Sequence, residues 1–543
     1  MHRCTHPRLS RRRLLASVLS VPLAPYALAQ SAEGPVVATT NGKVRGLVDQ
    51  GIHVFRGLPY AAPTVGANRF LPPKPPSAWT GVREALLFGA SSPQTNPAGS
   101  TMNWMMRAAV PSDPPGVSES ESCLVLNVWT PAITGRRPVM VWLHGGGFSS
   151  GSASPPMYDG VALARRGDIV VVGVNHRLNV FGYTHLAASG GPAFSSSGNA
   201  GMLDIVAALE WVAANIAAFG GDPSNVTIFG ESGGGAKVSI LLAMPAARGL
   251  FHKAIIESGP GLRVGSAEEA SKGAELLAAE LGLRAQQVHE LQQQPTERVL
   301  KAYFAVLPKL AGGGLGTGAF NPVLDGSAIP RHPFDPDAPA VSASVPILIG
   351  SNHNEAALFL RGSEQDFAIG ESALKQRVSA AFPRADAQAL IAAYRAGNPS
   401  ATPWDLFVLM STDRMFGANT ILLAERKAAA GGAPVYVYRF DWETPGMGGH
   451  MHAAHGVEVP FVFDNTTRAA GILGAPSGGV EELAATISGA WIAFARSGVP
   501  AAPKLPPWPA YSASNRKVML LNAESRLADD PGGAERRALL KAL

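Results

Sequence analysis

The chain has 543 residues, 46% of them hydrophobic and only 16% charged, which is enough apolar content for a large buried core. Its formal charge of +5 comes from 45 basic and 40 acidic residues, and the five arginines among the first 29 residues account for the whole excess. The remaining chain is formally neutral, so charge gives no support to a nucleic-acid partner or any other polyanion.

The first segment reads as an export signal. Ser10-Arg11-Arg12-Arg13-Leu14-Leu15 is a twin-arginine pattern, an apolar stretch follows to Leu28, and Ala27-Leu28-Ala29 fits a small-x-small cleavage site. The expectation is a leader over 1–29 and a single domain over 30–543, exported to the periplasm or beyond. Past the leader no run of eighteen apolar residues occurs, so no membrane-spanning helix is expected after its removal. Cys4 leaves with the leader, and Cys123 then stands alone with no intrachain disulfide available.

Short apolar runs rich in β-branched residues predict strands over Pro138–Leu143, Ile169–Val174, Val226–Phe229, Val345–Ile349 and Val435–Tyr438. Helical patterns over Leu203–Ala218 and Ala236–Ala243 lie between them. This alternation predicts an α/β fold: a mostly parallel sheet with helices on both faces. Glu268–Leu281 and Ala285–Leu300 read as amphipathic helices of an insertion over residues 263–305, and Ala311–Phe320 as a glycine-rich loop. In open α/β sheets ligands bind beyond the carboxyl ends of the strands. The residues just after each strand are therefore the candidates.

Two G-x-S-x-G matches occur, around Ser149 and around Ser232. Ser232 follows a strand and precedes a helix, the setting of a nucleophile elbow. Ser149 is followed by Ser154-Pro155-Pro156, which cannot open a helix there. The stretch VMVWLHGGGF (139–148) places bare glycines after a strand, where their N–H groups can meet a developing oxyanion. A serine needs a base, and the base a third group to orient it. The chain order Ser, acid, His offers Glu355 after the strand at 345–349, with Asp325 as a competitor. His450, His452 and His455 are the candidate bases. A His-x-His-x-x-His metal clamp is the competing reading of those three. A histidine base predicts a rate that rises through an apparent pKa of roughly 6–7.

Together with these residues, VFRGLPYAAPTVGANRF (54–70), SESCLVLNVWTP (120–131), NHRLNVFGY (175–183), residues 198–235 and HGVEVPFVF (455–463) resemble blocks of the type-B carboxylesterases. These are the cholinesterase and para-nitrobenzyl-esterase group of α/β-hydrolases, and the likeness spans nearly all of residues 34–525. The resemblance implies an α/β-hydrolase fold with insertions over the active site. It assigns Ser232 as nucleophile, Glu355 as acid and His455 as base, with Gly146, Gly147 and Gly233 N–H groups as the oxyanion hole.

The implied reaction is hydrolysis of a small to medium, uncharged carboxylic ester through an acyl-enzyme. The implied partner is that small-molecule ester, with no cofactor and no metal. An amide or carbamate hydrolase of the same fold is the nearer alternative. A non-catalytic cholinesterase-like adhesion protein is the further one, and such relatives lack triad members. Phe148, Trp104 and Met105, with Met106 and the 311–320 loop, are candidates to line the pocket.

Three departures from the family stand out. Ser91 and Ser92 occupy the place of a cysteine that relatives pair with the counterpart of Cys123. Gly233 replaces the usual alanine. Lys237 replaces a small residue, and a contact with a nearby carboxylate is the expectation for it.

Overall fold

The computed structural model describes residues 34–96, 112–310, 318–360, 363–474 and 479–542. The leader, Trp104, Met105, Met106 and residues 311–317 lie outside them.

The chain enters through short, polar strands. β1 (Val36–Thr39), β2 (Gly42–Arg45) and β5 (Val82–Glu84) form a small three-stranded sheet. β3 (Leu47–Asp49), β4 (Ile52–Pro59) and β6 (Val125–Thr130) make an antiparallel edge on a second, eleven-stranded sheet. β7 (Arg137–Leu143), β8 (Val170–Val174), β9 (Gly221–Glu231), β10 (Lys253–Glu257), β11 (Ile347–Asn352), β12 (Val435–Phe440) and β13 (Lys517–Leu521) run parallel through its middle. Antiparallel β14 (Arg526–Asp529) closes the far edge. The order is β14-β13-β12-β11-β10-β9-β7-β8-β6-β4-β3. The expected sheet is present, with antiparallel strands at both edges that the apolar runs did not signal.

The central strands read as unbroken apolar runs because both faces are covered. Successive residues serve opposite cores. Val139, Val141 and Leu143 of β7, with Ile228 of β9 and Ile349 of β11, pack on the face that holds the helix Ala200–Asn215. Met140, Trp142, Phe229 and Leu348 point to the other face, against the helix Val480–Ser497 and its Trp491 and Phe494. By length and composition the helical stretch Pro192–Phe219 is apolar enough to cross a membrane, but 61% of its most apolar window is buried inside the fold.

The insertion after β10 has its own core, in which Leu277, Val299 and Tyr303 meet Phe181 and Phe320. Its second expected helix is two pieces, Val288–Gln292 and Thr296–Val306. Pro295 caps the second piece, and a proline inside a helix removes a hydrogen bond and clashes with the preceding turn.

Two buried ion pairs join the motif blocks. Arg69 meets Glu121 through Nε (2.7 Å) and Nη2 (2.6 Å), and donates through Nη1 to the carbonyls of Leu291, Gln292 and Gln294. Arg177 meets Asp204 through Nε (2.8 Å) and Nη2 (2.6 Å), with both side chains inaccessible to solvent. Cys123 is buried and free, and its thiol hydrogen-bonds with Ser92.

Strand register sets the site. Leu143 lies opposite Gly230, Glu231 opposite Glu257, and Glu257 opposite Gly350. The segments that leave β7, β9 and β11 at their carboxyl ends therefore emerge side by side.

Candidate active site

Ser232 is the single residue between β9 and the helix Gly233–Leu241, which starts two to three residues earlier than its apolar pattern suggests. Its backbone is held at φ +59° and ψ −122°, a conformation that costs an L-residue strain. Two hydrogen bonds hold the turn: Ser232 N–H to the Glu257 carbonyl (2.8 Å) and Ala236 N–H to the Ser232 carbonyl (3.0 Å). The surrounding glycines are needed for close approach. A Cβ on Gly234 would lie 1.9 Å from the Leu143 carbonyl oxygen, and one on Gly230 2.5 Å from it.

The 144–148 loop comes off β7 directly beside this turn. A Cβ on Gly145 would lie 3.5 Å from Ser232 Cβ, and one on Gly233 2.5 Å from Gly147 N. Gly146 and Gly147 take φ of +83° and +61°. Phe148 packs edge-on against Tyr183. Ser149, partly buried on this loop, directs its hydroxyl back to the Gly146 carbonyl (3.4 Å).

Glu355 and His455, a hundred residues apart, meet in the interior. Glu355 Oε2 lies 2.5 Å from His455 Nδ1, and its Oε1 accepts the Asn352 N–H at 2.7 Å. Phe359 and Phe416 pack against the imidazole. With Nδ1 occupied, Nε2 is the nitrogen free for proton transfer. It makes no hydrogen bond among the described residues and lies 3.1 Å from Glu231 Oε1.

The competing residues are engaged elsewhere. Asp325 accepts from Asn199 and from the backbone of Ser327 and Ile329. His450 stacks on Phe367, and His452 lies between Asp405 and Glu443. The three histidines of the 450–455 stretch thus have three different sets of partners.

Sequence reasoning missed Glu231 and Glu458, which sit near His455. The signal for Glu231 was its position immediately before Ser232. Burial pushes the His455 pKa down, but Glu231, Glu355 and Glu458 together raise it to about 9. The expected value near 6–7 took no account of these neighbours: carboxylates beside an imidazole favour its protonated form. Burial raises Glu231 to about 7 against the opposing pull of His455. Burial and neighbouring carboxylates also push Glu458 up.

Lys237 departs from its expected carboxylate contact. Its fully buried ammonium donates to two carbonyls, Gly147 (2.8 Å) and His144 (3.0 Å).

Comparison with known proteins gives the family. The pattern of the carboxylesterase family matches residues 33–537. The chain is 36% identical to the para-nitrobenzyl esterase of Bacillus subtilis strain 168, covering 93% of this chain and 98% of that protein. It is 35% identical to the phenmedipham hydrolase of Pseudarthrobacter oxydans, covering 90% and 95%. A Geobacillus stearothermophilus carboxylesterase structure, 39% identical, superposes with a TM-score of 0.78 over 93% of this chain and 99% of that one.

An α/β-hydrolase with a strained serine elbow beside a glycine loop is the class that fold and site define. Within it, the chain belongs to the carboxylesterase family and is an ester-hydrolysing enzyme.

Proposed function

We propose that this enzyme is a serine carboxylesterase working through an acyl-enzyme on small to medium, uncharged esters. The observations that support the reading are the strained turn of Ser232 beside the 144–147 loop and the buried Glu355–His455 pair, whose Nε2 lies 3.1 Å from Glu231, the residue before Ser232.

In this reading His455 Nε2 takes the Ser232 hydroxyl proton as Oγ attacks the ester carbonyl. Glu355 holds the imidazole through Nδ1 and stabilises the imidazolium that forms. The N–H groups of Gly146, Gly147 and Gly233 receive the negative oxygen of the tetrahedral intermediate. Collapse expels the alcohol, protonated by His455. Water, activated by the same base, then releases the acid. Phe359 and Phe416 give the base an apolar surround, and the carboxylates of Glu231 and Glu355 disfavour an anionic substrate.

The supporting test is steady-state turnover of activated esters that vary in acyl and alcohol size. Ser232→Ala is expected to lower kcat/KM by at least about 10⁴-fold while the fold persists. Ser149→Ala is expected to retain activity. Turnover by a folded Ser232→Ala variant at the parental rate would overturn the assignment.

Residues 1–29 serve, in the same proposal, as a twin-arginine leader for the domain over 30–543. The free, buried Cys123 supports it, because a fold without a disulfide loses nothing by forming in a reducing cytoplasm before transport.

A further inference from the structure

Residues 233 and 237 are one helical turn apart and therefore share a face of the helix that follows Ser232. Both face the same backbone. A Cβ on Gly233 would fall 2.3 Å from Gly147 O, 2.4 Å from its Cα and 2.5 Å from its N. The loop thus occupies the space that a side chain at 233 would need. One turn on, Lys237 Nζ donates to the carbonyls of Gly147 and His144.

Those two carbonyls belong to the peptide planes 144–145 and 147–148. They bracket the planes that carry the N–H groups of Gly146 and Gly147. Glycine is the least restrained residue, so an unsupported glycine loop would leave those donors loosely aimed. Burial lowers the Lys237 pKa to about 7, with Glu231 opposing. The ammonium has three N–H donors and the neutral amine two, so either form can hold both carbonyls.

We infer that Gly233 and Lys237 form a two-part clamp that seats the 144–147 loop on the first turn of the helix and aims its N–H groups at the oxyanion. Gly233 permits the close approach, and Lys237 pulls the loop into it. Lys237 is a positioning residue: it acts on the oxyanion through the loop. This inference rests on the serine-esterase reading above.

The test is a double-mutant cycle of Gly233→Ala, Lys237→Met and the two combined. Three quantities are read: kcat/KM on an activated ester, Ki for a trifluoromethyl ketone, and Ki for an unreactive ether analogue of the ester. The ketone adds Ser232 Oγ and places a negative oxygen in the hole, whereas the ether only occupies the pocket. Each single substitution is expected to lower kcat/KM by about ten- to a hundredfold, less than the roughly 10²–10³-fold cost of removing one such donor outright, because the donors are misaimed and not lost. Ketone affinity is expected to fall by the same factor, with ether affinity within about twofold of the parent. In the Lys237→Met background the alanine is expected to cost less than it does alone, because the released loop can move away from it.

Ketone affinity within twofold of the parent would overturn the clamp, as would effects of the two substitutions that simply multiply. Should Lys237→Met not fold, Lys237→Gln takes its place, and the Gly233→Ala arm stands independently. Failure of the underlying reading is distinguishable: activity would then survive Ser232→Ala in the parent chain.

Discussion

At the scale of single residues, the least expected feature is the charge around His455. A base must be neutral to accept a proton, and Glu231, Glu355 and Glu458 all favour the protonated imidazolium. The kcat/KM profile is therefore expected to rise through an apparent pKa above the ordinary histidine value of about 6.5, in the direction of about 9. Glu231→Gln removes the carboxylate beside Nε2 and is expected to move that midpoint down. A midpoint unmoved by Glu231→Gln would show that this contact does not tune the base. The serine and its glycines were legible because each chemical requirement leaves a local mark in the chain. The choice between Glu355 and Asp325 was not, since it depends on which carboxylate the fold carries to His455. Glu231 was visible beside Ser232, but only its 3.1 Å approach to Nε2 gives it a role.

Among the elements, the parallel strands β7, β8, β9, β11 and β12 were readable because burial on both faces gives them long apolar runs, whereas β10 and β13 were not. β2 and β5, with Lys43, Arg45, Arg83 and Glu84, lie in the small peripheral sheet and carry no such pattern. β10 was missed because it begins and ends on charged residues, Lys253 and Glu257, both buried here. Asn225 accepts from the Lys253 ammonium, and Glu257 accepts from Trp491 Nε1. Arg69 of the 54–70 block and Arg177 of the 175–183 block are structural: Arg69–Glu121 ties the insertion to the sheet's entry, and Arg177–Asp204 ties the segment after β8 to the helix beneath the sheet. Asp204→Asn would leave Arg177 buried without its charge partner. It is expected to cost about 3–5 kcal/mol in chemical denaturation. The pair Arg136–Asp222, whose arginine is solvent-exposed, is the control, and Arg136→Gln is expected to change stability by less than about 1 kcal/mol. Equal losses in the two variants would contradict the structural reading of the buried pair.

For the whole molecule, Cys123 is the one cysteine among the described residues, buried, with its thiol pushed up to about 12 by burial. Its melting temperature is expected to be the same with and without reductant, and a reductant-dependent shift would reveal a disulfide between chains. Export is expected to yield a mature protein beginning near Gln30 or Ser31. Replacing Arg11, Arg12 and Arg13 together with lysine is expected to strand active precursor in the cytoplasm, read by fractionation and N-terminal sequencing. Normal export of that variant would point to the general secretory route. The central claim is that one serine, at the junction of β9 and its helix, carries the chemistry of the entire chain. The most direct measurement is labelling of the full enzyme with an organophosphonate, followed by mass mapping of the adduct. The account predicts one adduct per chain, on Ser232, formed in step with loss of esterase activity. An adduct on Ser149 or elsewhere accompanying that loss, or full activity with Ser232 modified, would contradict it.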